Sequence, residues 1–326
     1  ADPALGQIPQ NHFGILHVLQ GAASERQKKQ LFQSVLDGWR IGNGGPERGT
    51  KNTLDLKSRI TAEGDGYVVS GQKFYSTGAL FAHWVAVKAL NDDGKVVMAF
   101  VRRGTEGLRI VDDWSGFGQR TTGSGTSRFT DAVVEAENVI DFATRFKYQT
   151  AFYQLVLLAT LAGIGRAALK DVAHQVRSRK RIYSHGNAAH VSQDSQIQQV
   201  VGEVAALVYA AEASALKAAV PAQRAYVARF GGDDAVEHEA NVAAEIESAT
   251  AQVVVSELIQ RATTELFNAL GASDVRQGKA LDRHWRNART VSSHNPVIYK
   301  ARIVGDWVIN RTEPPFVWQI GNGPAR

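Results

Sequence analysis

The stretch Leu281–Lys300, LDRHWRNARTVSSHNPVIYK, carries six basic residues (counting His284 and His294), with Trp285 and Tyr299 among them. The residue before a proline is pushed out of helical geometry, so His294-Asn295-Pro296 predicts a loop between two helices. A histidine on a loop gripped by rigid elements can point into a pocket and move a proton near neutral pH. By spacing alone, a solvated basic run with a capping histidine fits better. The case for chemistry comes from three other segments.

In Gly71–Ala79, GQKFYSTGA, an aromatic pair is followed by two hydroxyls and a glycine. Such a segment can stack on a planar heterocycle while hydroxyls and backbone N–H groups bond its polar edge. The simpler reading is a strand end with a turn. Residues 114–126, WSGFGQRTTGSGT, form a glycine- and hydroxyl-rich loop able to line a ligand channel, or a plain hairpin. Arg177-Ser178-Arg179-Lys180-Arg181 ends a predicted helix, where cations are favourable anyway; its functional version is a phosphate clamp. Singly, each has an adequate structural explanation. Together they supply stacking, edge hydrogen bonds, a phosphate clamp and a pocket histidine, a set that suits a flavin.

Other motifs fail their context. The glycines at 42–44 and 116–118 do not sit between a strand and a helix of a βαβ unit, so a dinucleotide or P-loop site is not expected. Neither His185 with His190 nor Glu237-His238-Glu239 matches a metal-site spacing, and no metal is expected. Glu237, Glu239, Glu245 and Glu247 read as a solvated helix face lacking the Glu-x-x-His pairs of a di-iron bundle.

The elements that must position these residues follow from period and composition. The chain has 326 residues, 44% hydrophobic and 21% charged, with a net charge of +5, as for a soluble globular protein. The basic residues are scattered apart from the two clusters, so nucleic acid is not an expected partner. With no cysteine there is no disulfide or thiolate chemistry. No run of about 18 apolar residues appears, so no membrane span is expected; with no evident signal peptide, a cytoplasmic location is the expectation. The opening residues read as the middle of a domain, and a truncated N-terminus is expected.

Residues 12–41 predict two short helices, the second opened by a Ser24–Gln27 capping box, with Leu31, Phe32, Val35 and Leu36 on its apolar face. Residues 42–49 read as a turn-rich connection. From Thr53 to Ile140 the period is two. Short runs beginning with Leu54 and Leu56 and punctuated by Gly and Asp turns, Ser70-Gly71 among them, predict an antiparallel sandwich or barrel. From Lys147 the period is helical. Helices from about Ala151 to Arg181, from Ser192, from Asp233 to Leu270 with Gly271 as C-cap, and from Pro296 predict a four-helix bundle. The expected fold is α+β: N-terminal helices (1–49), a middle β domain (50–145) and a bundle (146–326).

This order and these segments resemble the acyl-CoA dehydrogenase superfamily, whose members bind flavin and are usually tetrameric. Gly71–Ala79 stands where that family has G-x-K-x-W-I-T/S, with Tyr75 at the Trp position and Thr77 at the hydroxyl position. Gly118–Ser124 is similar to its G-x-R-x-S/T segment, and Arg286-Asn287-Ala288-Arg289 to its R-D-A-R. Two departures stand out. The loop that often carries the catalytic Glu of the dehydrogenases reads Ser293-His294-Asn295-Pro296, without a carboxylate, and the substrate loop T-E-P-x-x-G-S-D is replaced by Asn43–Thr50. Both resemble instead a monooxygenase branch, the dibenzothiophene monooxygenase and sulfur-acquisition group.

The resemblance implies a two-component enzyme that takes reduced FMN from a separate NAD(P)H-flavin reductase and uses O2 on a small organosulfur or related substrate; FAD is a second possibility. It implies a homotetramer, or a dimer. His294 would manage a proton at the flavin, with Thr77 and Asn43 beside it as catalytic groups. Trp39, Tyr75, Ser76, Thr77, Trp114, Arg179, Arg181 and His294 would bind the cofactor, and His12 and Trp114 would line the substrate pocket. Alternatives are an FAD-dependent acyl-CoA dehydrogenase and a flavin-binding member without turnover.

Overall fold

A computed structural model describes residues 2–50, 55–142 and 146–317. Leu54 and Thr53, and the ends of the expected domains at 143–145 and 318–326, lie outside the described residues. The chain forms two compact units. One takes 2–6, 116–119 and 150–316; the other takes the described residues of 7–115 and 120–149, with Val317.

The second unit begins with helices. After the single turn α1 (Ala4–Gln7), Pro9 opens α2 (Pro9–Ala22), where its missing N–H costs nothing. Helix α3 (Glu25–Leu36) starts at the expected capping box: Ser24 accepts from the Gln27 N–H at 3.3 Å, and the Gln27 side chain accepts from the Ser24 N–H at 2.9 Å. The expected apolar face of α3 is only partly covered: Leu31 is buried, Phe32 and Val35 are half-buried and Leu36 is exposed.

The described residues of this unit form eight strands: β1 (Ile41–Gly44), β2 (Arg59–Glu63), β3 (Gly66–Lys73), β4 (Trp84–Leu90), β5 (Val96–Arg102), β6 (Leu108–Val111), β7 (Thr126–Glu135) and β8 (Val139–Asp141). They run in the order β6-β7-β3-β2-β4-β5-β8, with β1 on β4. Two expectations are corrected. Residues 42–44, read as a connection, are a strand paired in parallel with Val85–Val87. Their glycines permit this, because a Cβ at Gly42 would lie 2.5 Å from the Ala79 Cα. Ser70-Gly71 is a bulge within β3, not a turn: the register against β7 shifts there, and Gly71 takes φ +149° against Ser58.

The helical unit contains α4 (Gln149–Ser178), α5 (Ser195–Ala228), α6 (Asp234–Glu265), α7 (Asp282–Ser292) and α8 (Val297–Asn310). Asp194 and Asp233 cap α5 and α6 by accepting backbone N–H groups of the first turn. The expected boundaries shift where local chemistry intervenes. Helix α4 stops at Ser178, short of Arg181, and α5 opens at Ser195 after a 3-10 turn at Val191–Gln193. Helix α6 ends at Glu265 in a 3-10 turn, and Gly271 is extended (φ −122°) and so is no left-handed cap. The core joins Leu157, Leu161 and Ile164 to Val204 and Val208 and to Val255 and Ile259. At Gly165 a Cβ would meet Ile259, so the glycine sets how closely these helices approach. Helices α4 and α5 are long and apolar enough to cross a membrane by length and composition, although neither is an unbroken apolar run. Both contribute their apolar residues to this core.

Candidate active site

In the β-containing unit, the segment after β3 is held from below by a buried ion pair. Lys73 Nζ donates to Glu47 Oε1 at 2.6 Å, with the two side chains 0% and 3% exposed. Burial pushes the Glu47 carboxyl up, but hydrogen bonds from Lys73 and the Lys57 N–H, with the Lys73 charge, outweigh it and leave its pKa below the ordinary value. Burial lowers Lys73, with the carboxylate opposing. With N and O in contact, the ionised pair is the state that stands at neutral pH. Phe74 is clamped between Pro46, whose carbonyl accepts its N–H at 2.9 Å, and the Arg48 guanidinium, 3.0 Å from its ring centroid.

The chain then turns sharply. Tyr75 takes φ +55°, unusual for an aromatic residue, which leaves its ring half exposed and edge-on to Trp114, with centroids 6.2 Å apart. Asn43 Nδ2 donates to the Tyr75 carbonyl at 3.0 Å, and the Asn43 N–H donates to the Thr77 carbonyl at 3.2 Å. The half-buried Asn43 therefore spans the turn. Thr77 Oγ1 lies 2.8 Å from Ser124 Oγ, which donates to Thr122 Oγ1 at 2.7 Å, forming a buried hydroxyl chain. Ser76 is fully buried and its Oγ has no hydrogen-bond partner among the described residues. His12 accepts the Ile41 N–H on Nδ1 at 3.2 Å, and burial, then the Arg40 charge, lowers its pKa.

Tyr75, Ser76, Thr77, Asn43 and Trp114 thus form one constellation, with His12 bonded to the strand that carries Asn43. Trp39 belongs to another cluster. Its ring stacks on His83 (centroids 5.4 Å, 18°) beneath the Arg102 guanidinium and lines a cavity of about 840 Å³ between α3 and the sheet.

In the helical unit, His294 lies on the loop between α7 and α8, as expected. Asn295 fixes that loop: its Nδ2 donates to Gln154 Oε1 at 2.9 Å, and its carbonyl accepts from Gln252 Nε2 at 2.9 Å. His294 is exposed, yet packing around the ring lowers its pKa by desolvation, opposed by its hydrogen bond to Asn295. It is therefore neutral at pH 7. The Arg-rich helix end leaves Arg181 exposed, while the half-buried Arg179 lays its guanidinium against Gly271. On α7, Asn287 Oδ1 accepts the Gln119 N–H at 2.7 Å and Trp285 stacks on Phe117 (16°), so Gly116–Gln119 is fastened to the RNAR helix.

One carboxylate is misplaced by the sequence reading. Glu245 is 1% exposed, not solvated, because it sits where α6 faces the first turn of α4 and accepts from Thr150 Oγ1 and from the Ala151 N–H at 2.8 Å. Burial pushes its pKa up to about 7 against these bonds and the Lys300 charge. Its own helix period hides it, since α6 buries residues around much of its circumference. The Ser124 and Thr122 hydroxyls and the Gln154–Asn295–Gln252 amides were also missed individually. The glycine-hydroxyl loop and the Asn-Pro dipeptide were their only signals.

Residues 46–132 match the acyl-CoA dehydrogenase middle domain and residues 155–298 the acyl-CoA dehydrogenase C-terminal domain. The chain is 27% identical to a dibenzothiophene monooxygenase of Mycolicibacterium goodii, across 96% of this chain and 78% of that protein. It is 27% identical to a probable FMNH2-dependent monooxygenase, SfnC, of Pseudomonas putida, across 81% of this chain and 67% of that one. Among solved structures, FMN-bound TdsC of Paenibacillus sp. A11-2 superposes with a TM-score of 0.82 at 28% identity, covering 96% of this chain and 82% of TdsC. Domains, fold and relatives agree: the chain belongs to the acyl-CoA dehydrogenase superfamily and groups with its dibenzothiophene monooxygenase-like branch.

Proposed function

We propose that this protein is a flavin-dependent monooxygenase that takes reduced FMN from a separate NAD(P)H-flavin reductase and oxygenates a small organosulfur or related compound. The observation that carries the reading is the 293–296 loop. It offers a histidine, neutral at pH 7 and fixed through its neighbour Asn295, where a dehydrogenase of this superfamily would carry a carboxylate base. The relatives named for monooxygenase activity, and TdsC solved with FMN and with FMN plus indole, support it.

The residues present fit a flavin. Ser76 Oγ is buried without a partner beside the Thr77–Ser124 hydroxyl chain, and Tyr75 holds an exposed ring next to Trp114. These groups match the polar edge and flat face of an isoalloxazine; the exposed Arg181 and neighbouring Arg179 suit its phosphate. Reduced flavin, when bound, supplies the electrons that activate O2 for transfer of one oxygen atom to a soft nucleophile such as sulfur. The chain's residues do the rest. Thr77 and Ser76 orient the ring edge, and Asn43 keeps the turn that presents them. Tyr75 and Trp114 exclude water from one side, and neutral His294 accepts or returns a proton at its ring nitrogen. A cytoplasmic homotetramer, or a dimer, is the expected working form.

Anaerobic titration tests this reading. Reduced FMN should bind at least tenfold more weakly to Thr77→Val than to the native chain, and acyl-CoA thioesters should leave protein-bound flavin oxidised. Bleaching of the flavin by an acyl-CoA would instead establish the dehydrogenase.

A further inference from the structure

Helix α3 turns a polar face toward an aromatic floor. Arg26, Lys29, Gln30 and Gln33, at helical spacing along α3, line the cavity of about 840 Å³ between this helix and the sheet. On the sheet side the same cavity is lined by Trp84, Phe100 and Val134, all three buried. An amphipathic helix ordinarily sets its apolar stripe on such a surface. Here amides and an ammonium stand over it, while Leu36 of the same helix stays exposed. Trp84 on β4 and Arg102 on β5 are partners in register, so both side chains leave the same face of the sheet. Phe100, two residues before Arg102, shares that face.

Two kinds of polar group in this cavity lack a counterpart. Trp84 is only 8% exposed, and its indole Nε1–H has no hydrogen-bond partner among the described residues. A buried donor of this kind costs stability until an acceptor reaches it. Arg102 lies 5.0 Å from the Trp39 ring centroid, and neither it nor Lys29 has an ion pair among the described residues. The other charges of the wall are engaged. Arg26 pairs with Glu137 at 2.5 Å, Glu135 accepts from Asn138 Nδ2 at 3.1 Å, and Asp37 accepts from Gln33 Nε2 at 2.9 Å. An aromatic cavity of this size with a few convergent polar groups has the form of a small-molecule site. We propose that it binds a planar aromatic carboxylic acid. The carboxylate accepts the Trp84 N–H and is held by Arg102, its cross-strand partner, with Lys29 as the second cation. The ring rests on Phe100 and Val134 beneath α3. Asp37 and Glu135 in the wall make a monoanion a better fit than a dianion. Inorganic phosphate would satisfy the cations and leave the aromatic floor in water. None of Asn43, Tyr75, Ser76, Thr77 or Trp114 lines this cavity, so the inference stands independently of the flavin chemistry.

The test is a titration of the nitrogen-15-labelled full chain with 2-naphthoate, followed through the tryptophan indole N–H resonances. The resonance missing from Trp84→Phe should shift and saturate, with and without FMN alike. Arg102→Gln should weaken binding about tenfold while circular dichroism is unchanged, and Lys29→Gln should weaken it less. The neutral 2-naphthamide should bind the native chain about tenfold more weakly than the acid. A Trp84 resonance indifferent to 2-naphthoate, equal affinity for the amide, or indifference to Arg102→Gln would overturn the proposal. So would displacement of 2-naphthoate by FMN, which would place the ligand in the flavin site. Binding of decanoate as tightly as 2-naphthoate, or an equal response to inorganic phosphate, would also overturn it, because the aromatic floor would then confer no preference.

Discussion

The two units anchor their candidate catalytic segments by opposite electrostatic means. In the β-containing unit the Tyr75–Thr77 turn stands on a dry ion pair, Lys73–Glu47, whose N and O are 2.6 Å apart. In the helical unit the His294 loop is held by neutral amides, and one carboxylate buried in that unit, Glu245, has no ion pair within 4.0 Å among the described residues. Glu245 is pushed up toward its neutral form, and Lys300 is pushed down toward its own. The lesson is that burial alone does not decide charge. A contact partner holds Glu47 ionised against desolvation, whereas two hydrogen bonds and a more distant ammonium do not hold Glu245. The support of the Tyr75–Thr77 turn is thereby insensitive to pH across the neutral range, whereas Glu245 of the helical unit titrates within it.

Breaking the contact pair should have the largest effect. Glu47→Ala leaves Lys73 buried without its carboxylate and frees the Lys57 and Ser58 N–H groups, so chemical denaturation should show a loss of about 3–5 kcal/mol. Glu47→Leu with Lys73→Met should lose much less; an equal loss would mean the pair matters through its charges rather than through the orphaned ammonium.

Glu245 sharpens the other side. Its folded pKa is raised from 4.5 to about 7, so the native state binds the extra proton between those values. Its contribution is fully present below pH 4.5 and is lost as pH rises through 7, roughly 3 kcal/mol at most. Melting temperature should fall from pH 5 to 8 more steeply in the native chain than in Glu245→Gln. Parallel curves would show that Glu245 is ionised throughout.

Asn295→Ala removes the bond to Gln154 and the one bond that raises the His294 pKa. It should cost about 1–2 kcal/mol and lower the His294 titration further, as seen by NMR of the imidazole protons. An unchanged titration would mean that Asn295 does not position the ring. The smallest stability effect belongs to Thr77→Val, about 1 kcal/mol from one lost hydroxyl contact. Its larger consequence should appear in reduced-FMN binding.

Periodicity made the order of helices, sheet and bundle legible, and the Ser24 capping box and Asp233 break located two helix starts to the residue. The Asn-Pro dipeptide placed the His294 loop for a local steric reason. What the sequence hid depends on contacts distant along the chain. Strand β1 exists because Gly42 and Gly44 admit close backbone approach to Ala79 and β4, which no local pattern announces. Glu245 looked solvated among neighbouring carboxylates because only the first turn of α4 buries it. Trp39, expected to bind the cofactor, stacks on His83 beneath Arg102, a setting that no local pattern announces. The Tyr75–Thr77 turn was readable as a motif, whereas its support by Asn43 and Ser124 became visible only in three dimensions.

The most direct test of the monooxygenase reading is stopped-flow mixing of the full chain, loaded with photoreduced FMN, with oxygenated buffer. The account predicts a transient absorbance distinct from that of oxidised FMN, long-lived in the native protein and lost in His294→Ala. Immediate appearance of oxidised FMN in both proteins, together with bleaching of bound flavin by an acyl-CoA thioester, would contradict it.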